Sequence, residues 1–129
     1  MNNLVVQKYG GTSVANTERF QAVADIIVES INDGLNVAVV VSAMAGETQR
    51  LIDLAKEIQA EPDPREFDAL VSSGEQVSAA LLAIALKERN FLSKSYTAHQ
   101  LGLKTDNVHG KARINSCLLY TSPSPRDAS

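Results

Sequence analysis

The chain has 129 residues, enough for one domain with a real core, and its 44% hydrophobic content without tryptophan and with only 5% aromatics points to a soluble globular class. Such a core must be built from Val, Ile, Leu and Ala, as in helix-covered parallel sheets. A formal charge of −3 with both signs interspersed gives no basic footprint, so neither nucleic acid nor an anionic membrane is expected as a partner.

Leu4, Val5 and Val6 predict a short buried strand running to Lys8 and Tyr9. From Asn16 the period changes: Phe20, Val23, Ile27 and Ile31 recur at helical spacing, Ala24 widens the face, Asn16 or Thr17 can cap the start, and Asn32-Asp33-Gly34 is a stop signal. Val37 to Val41 is apolar on both faces, which predicts an interior parallel strand. After the loop Ser42-Ala43-Met44-Ala45-Gly46-Glu47-Thr48, a helix is expected from about 48 to 59, burying Leu51, Ile52, Ala55 and Ile58.

Pro62-Asp63-Pro64 breaks the chain. Asp63 makes an N-cap, with Pro64 at the first helical position and Glu66 three residues after the cap. The next helix carries Phe67, Leu70 and Val71, and Ser72-Ser73-Gly74 is expected to interrupt it. A further helix, about 75 to 89, is expected to bury Val77, Leu81, Ile84 and Ala85, and Ser95 to Ala98 reads as another strand. The order β-α-β-α-α-β predicts an α/β fold, a layered open sheet, mostly parallel, with helices on both faces.

The single cysteine, Cys117, excludes a disulfide framework within the chain, and His99 and His109 have no metal-ligand spacing with it. No run reaches ~18 consecutive apolar residues, so no membrane span is expected. The N-terminus lacks a basic region followed by an apolar stretch, and with the lone cysteine this favours the cytoplasm. Residues 115–129, "NSCLLYTSPSPRDAS", have no periodic apolar face. They read as a disordered terminus, or as translated sequencing-adapter read-through, and are set apart from a domain over 1–114.

Three loops could carry chemistry. Lys8-Tyr9-Gly10-Gly11-Thr12-Ser13 joins the first strand to the first helix. Glycines allow positive φ and close approach, free amides at a helix start attract anions, and Lys8 can place a point charge on a phosphate. The other reading is a turn with a snorkelling lysine; the order is not that of a Walker A loop. The Ser42 to Thr48 loop also follows a strand, and ligands in open α/β sheets bind beyond the carboxyl ends of the strands. Taken alone, Ser42 and Thr48 read as caps, and it is two small-residue loops on one rim that make the case for a ligand. Ser72-Ser73-Gly74-Glu75 offers a carboxylate that either favours a helix dipole or recognises a cationic group such as a substrate ammonium.

Taken together, "VVQKYGGTSV", "VVVSAMAGETQRL", "SSGEQVSAALL" and "KTDNVHGKARI" resemble the signature segments of the aspartokinase family, within the amino-acid kinase superfamily. The resemblance covers Met1 to Ile114. It implies transfer of the γ-phosphoryl group of ATP, carried with Mg2+, to the β-carboxylate of L-aspartate, the first step towards lysine, threonine, methionine and diaminopimelate. It implies Lys8 as the catalytic cation, with Lys8, Tyr9, Gly10, Gly11, Ser13 and Ser42 on ATP phosphates and Thr48 and Glu75 on aspartate. It also implies an incomplete amino-acid kinase fold. The family's glycine-rich nucleotide-binding segment, its α-carboxylate arginine and its regulatory ACT domains lie beyond Ile114, and the full-length enzyme is expected to form a homo-oligomer. The alternatives are another superfamily member, of glutamate 5-kinase or uridylate kinase type, against which the Ser-Gly-Glu segment argues, and a non-catalytic binding module.

Overall fold

The structure, a computed structural model, describes residues 3–97, 100, 103–105 and 114–117. The elements in chain order are β1 (Leu4–Tyr9), α1 (Thr17–Asn32), β2 (Asn36–Val41), α2 (Glu47–Ile58), α3 (Pro64–Glu88), β3 (Leu103–Thr105) and β4 (Ile114–Cys117). Strands β1 and β2 pair in parallel from Leu4 with Asn36 to Tyr9 with Val41.

Pleating sends alternate side chains to opposite faces. Tyr9, Val37, Val39 and Val41 pack against the core formed by Val14, Phe20, Val23, Ala24, Ile27, Leu82, Ala85 and Leu86. The other face carries Leu4, Val6 and Val40, which stay 67%, 64% and 51% exposed. The expectation that β2 is buried on both faces therefore does not hold among the described residues. Helices α1 and α3 touch β2 and each other, and they cover one face only.

Helix α1 forms where the spacing predicts it. Asn16 is extended and its side chain accepts from the Arg19 amide at 2.9 Å, while Phe20, Val23, Ala24 and Ile27 are buried. It ends where Gly34 takes φ +90°, a left-handed conformation that glycine reaches at no steric cost. Helix α3 starts as its sequence predicts, with the Asp63 carboxylate accepting from the Glu66 amide at 3.0 Å and proline in the first turn.

Ser72-Ser73-Gly74 does not interrupt α3, which runs unbroken for 25 residues. The two hydroxyls donate to the helix's own carbonyls, Ser72 to Ala69 at 3.0 Å and Ser73 to Leu70 at 2.6 Å, and Gly74 sits buried inside the helix. Of the residues expected to be buried, Ala85 is buried and Leu81 packs partly buried against the core, but the other two are not. Gly74, Ser78, Leu82, Ala85 and Leu86 are buried, whereas Val77 and Ile84 are 51% and 63% exposed. Small Gly74 and Ser78 lie on the same helix face as Leu82, Ala85 and Leu86, and that combined stripe is the one turned inward. Ile58, at the end of α2, is 90% exposed instead of buried. Helix α3 is long and apolar enough, by length and composition, to cross a membrane, but it packs on α1, α2 and β2.

Residues 95 to 97 are not in a strand. The Thr97 amide donates to Gln100 Oε1 and the Gln100 amide to Thr97 Oγ1, which closes a turn instead. Strands β3 and β4 pair antiparallel with an irregularity between Lys104 and Thr105. Strand β4 runs across the boundary expected at residue 114, carrying Asn115 to Cys117 in a paired strand. Ala98, His99, His109 and the rest of the expected tail, 118–129, lie outside the described residues.

Two core substitutions should move stability in opposite directions. Ile27 is 1% exposed, so Ile27→Ala should cost about 2–5 kcal/mol. Ser78 Oγ is fully buried and has no hydrogen-bond partner among the described residues, so Ser78→Ala should raise stability by about 1 kcal/mol. Urea unfolding of the two variants checks both, and a loss for Ser78→Ala would show that the hydroxyl is satisfied.

Candidate functional site

Parallel pairing sends both strands out at the same edge of the sheet, so loop one (10–16) and loop two (42–46) leave side by side. The Ser42 amide donates to the Tyr9 carbonyl at 3.0 Å and ties the strand ends together. Loop one then turns tightly, with the Ser13 amide on Gly10 O at 3.0 Å and the Val14 amide on Gly11 O at 3.3 Å. Val14, 0% exposed, anchors the loop in the core.

Lys8 lies on the open face of β1, exposed, and makes no ion pair among the described residues. Tyr9 alternates to the helix face. Its hydroxyl donates to Gln7 Oε1 at 2.8 Å, and Gln7 Nε2 donates to Ser30 Oγ in α1 at 3.0 Å. Burial pushes the Tyr9 phenol pKa up. Its side chain is thus engaged beneath the sheet, and what Tyr9 presents at the edge is backbone.

Neither Gly10 nor Gly11 uses positive φ. A Cβ at Gly10 would meet nothing within 4 Å, so a group could approach the backbone there. At Gly11 a Cβ would lie 3.2 Å from Ala43 O, a tight contact that favours glycine where the two loops touch. Ala43 is 5% exposed and is pressed from its other side by α3, since a Cβ at Gly74 would fall 3.0 Å from its Cβ. Glycine inside a helix costs about 1 kcal/mol relative to alanine, and this close contact accounts for its presence.

The reading of Ser42 and Thr48 as caps fails. The N-cap of α2 is Gly46, at φ +80°, and no side chain caps the helix. Among the described residues the hydroxyls of Ser13, Ser42 and Thr48 have no hydrogen-bond partner. Glu75 is exposed in the middle of α3, not at a helix start, so the helix dipole does not explain it either. It is the next residue after Gly74, the glycine that faces Ala43 of loop two. The site residues thus fall into a strand-end group of Lys8, Gly10, Gly11, Ser13 and Ser42, flanked by Thr48 in the first turn of α2 and by Glu75.

Two features were not anticipated from the sequence. Arg50 grips Glu47 with both nitrogens, Nη2 to Oε1 at 2.6 Å and Nε to Oε2 at 3.1 Å. This hydrogen bond lowers the Glu47 carboxyl pKa and raises that of Arg50. The i, i+3 spacing of opposite charges was the available signal. The wedge at Ala43 had none beyond a run of small residues. Among the described residues no three His, Cys, Asp or Glu side chains are grouped so as to hold a metal ion. Two shallow hollows lie at the α2–α3 connection, sharing Pro62 and Phe67, rather than at the sheet edge.

The sequence model of the amino acid kinase family matches residues 3–119. An aspartate kinase from Stutzerimonas stutzeri is 54% identical over 111 residues, which is 86% of this chain and 27% of that protein. The chain thus spans about a quarter of the length of the curated relatives it matches. Among solved structures, the aspartate kinase from Synechocystis superposes with a TM-score of 0.75 at 50% identity, over 77% of this chain and 17% of that one. The E. coli aspartokinase III complex with aspartate and ADP gives a TM-score of 0.74 at 24% identity, over 88% of this chain and 35% of that one, and shares the fold.

The environment of Tyr9 has a measurable consequence. Its phenol should ionise above the usual ~10. The sign follows from burial favouring the neutral form: the contribution to stability is full below ~10 and is lost as pH rises through the raised value. Phenolate absorbance titration of the protein and of Tyr9→Phe should differ by one group ionising late, and a difference at ordinary pH would place the ring in solvent.

Proposed function

We propose, for a chain that belongs to the amino acid kinase family, that it forms the N-terminal part of the catalytic domain of an aspartate kinase. The enzyme transfers the γ-phosphoryl group of ATP, which brings Mg2+ as its complex, to the β-carboxylate of L-aspartate, giving 4-phospho-L-aspartate for lysine, threonine and methionine synthesis. The observation that carries this reading is the strand-end group itself. Lys8, without an ion-pair partner among the described residues, and the hydroxyls of Ser13 and Ser42, unengaged among them, stand on the strand ends and loops that also carry the open backbone at Gly10. The ligands named with the E. coli structure, aspartate and ADP, fit the same chemistry.

The aspartate carboxylate is already ionised at neutral pH, since its ordinary pKa is ~3.9, so the reaction needs no general base. The obstacle is bringing two anions together, and catalysis rests on positioning and charge neutralisation. Lys8 neutralises charge on the transferring phosphoryl group. The amides of Gly10 and Gly11 and the hydroxyls of Ser13 and Ser42 meet phosphate oxygens, and the backbone of Tyr9 holds the strand end in place. Thr48 and Glu75 hold the aspartate, with Glu75 facing its ammonium. The uncovered face bearing Leu4, Val6 and Val40 receives the remainder of the catalytic domain. The enzyme works in the cytoplasm as a homo-oligomer.

The test is aspartate-dependent ADP formation by the full-length protein, with acyl phosphate trapped by hydroxylamine. Lys8→Ala should lower kcat by ~10²–10³ with a smaller change in KM for aspartate. Lys8→Arg should rescue only in part, because a planar fork replaces a compact ammonium. A folded Lys8→Ala enzyme within about twofold of normal kcat would remove Lys8 from the catalytic group. The 129-residue chain made alone should show no turnover and poor solubility, because its apolar sheet face is exposed.

A further inference from the structure

The two loops and helix α3 meet on one residue. Ala43 presents its carbonyl oxygen to Gly11 and its methyl to Gly74. The space left is less than a side chain on both sides: an added Cβ would come within 3.2 Å of the oxygen at Gly11 and 3.0 Å of the methyl at Gly74. The Gly74 site is closed further by Leu51 Cδ1 at 3.5 Å and Glu47 Cγ at 3.6 Å, both on α2. Neither glycine adopts positive φ, so it is clearance and not backbone conformation that disfavours a side chain at either. Elements packed against the carbonyl on one side of a buried residue and against its methyl on the other do not slide independently, because packed interiors deform little.

We infer that Ala43 is a spacer that fixes the separation between the loop carrying Gly10 and Gly11 and the turn of α3 carrying Glu75, and that Gly74 is therefore a positioning residue for the amino-acid substrate. The inference rests on the aspartate kinase reading. Glu75 directly follows Gly74, so a side chain at 74 that shifts this turn of α3 off Ala43 shifts the Glu75 backbone with it. A side chain at 11 pushes instead on the loop that meets phosphate. The two contacts differ in chemistry: Gly74 meets the Ala43 methyl, which a substitution can remove, whereas Gly11 meets the Ala43 carbonyl, which none can.

Full-length enzyme carrying Gly74→Ala, Gly11→Ala, Ala43→Gly and the two doubles distinguishes these effects by steady-state kinetics in both substrates, with folding followed by circular dichroism. Gly74→Ala should raise KM for aspartate about tenfold or more and KM for ATP much less, as misplacement of a binding group on one substrate does. Gly11→Ala should act chiefly on ATP. Ala43→Gly should restore KM for aspartate in the Gly74→Ala background and should not restore Gly11→Ala, a coupling that a double-mutant cycle isolates. If Gly74→Ala does not fold, the Gly74→Ala/Ala43→Gly double carries the test and must fold with near-normal KM for aspartate. Equal changes in both KM values, no change, or no rescue by Ala43→Gly in an enzyme whose unsubstituted form turns over aspartate overturns the spacer alone. An unsubstituted enzyme that does not phosphorylate aspartate overturns the functional reading, and this inference with it.

Discussion

Backbone pairing from Leu4 with Asn36 to Tyr9 with Val41 holds β1 and β2 parallel, and everything at the candidate site follows from that direction. A parallel pair needs a crossover, here α1, which returns the chain to the starting edge. Both strands then end together, and both loops open where Ser42 is tied to Tyr9. An antiparallel pair would have placed Lys8 and Ser42 at opposite ends of the sheet. The same pleat puts Lys8 on one face and Gln7 and Tyr9 on the other, where Gln7 reaches Ser30 of α1, and among the described residues Lys8 makes no ion pair.

Polar groups near this edge divide into those the fold uses and those it leaves. Gln7, Tyr9 and Ser30 satisfy one another, Glu47 and Arg50 pair, and Ser72 and Ser73 bond back to their own helix. Ser13, Ser42 and Thr48 do none of these among the described residues. A hydroxyl that neither caps a helix nor bonds its own backbone is uncommon at a loop–helix junction, because capping is the usual reason for Ser or Thr there.

Elements whose signals are local were legible in the sequence. Helix α1 was readable from Phe20, Val23 and Ile27 with Asn16 ahead of them, and the start of α3 from Asp63, Pro64 and Glu66. Signals that depend on a neighbour were not. Ser72-Ser73-Gly74 has the composition of a break, yet the helix continues because its hydroxyls find carbonyls within it and its glycine finds Ala43 outside it. The face of α3 was misread in part: hydrophobicity favoured Val77 and Ile84, while the stripe turned inward includes Gly74 and Ser78. Five valines and alanines in a row looked buried on both sides, but the helices described here reach only one. At the site, Lys8 and the paired glycines were visible as a pattern, whereas the reason for Gly11 was visible only once loop two lay against it.

Arg89 closes α3 against α1, with Nε on Asp25 Oδ1 at 2.8 Å, Nη2 on Gln21 O at 3.3 Å and Nη1 on Ala85 O at 2.8 Å. The partners in α1 precede it by 64 and 68 residues. During synthesis the β1–α1–β2 unit leaves the ribosome well before Arg89 does, and at ~5–20 residues per second several seconds separate them. Throughout that interval the apolar faces of Phe20, Ile27, Val39 and Val41 wait without the helix that covers them. The helix face of this sheet therefore stays open in the nascent chain from completion of β2 until α3 emerges.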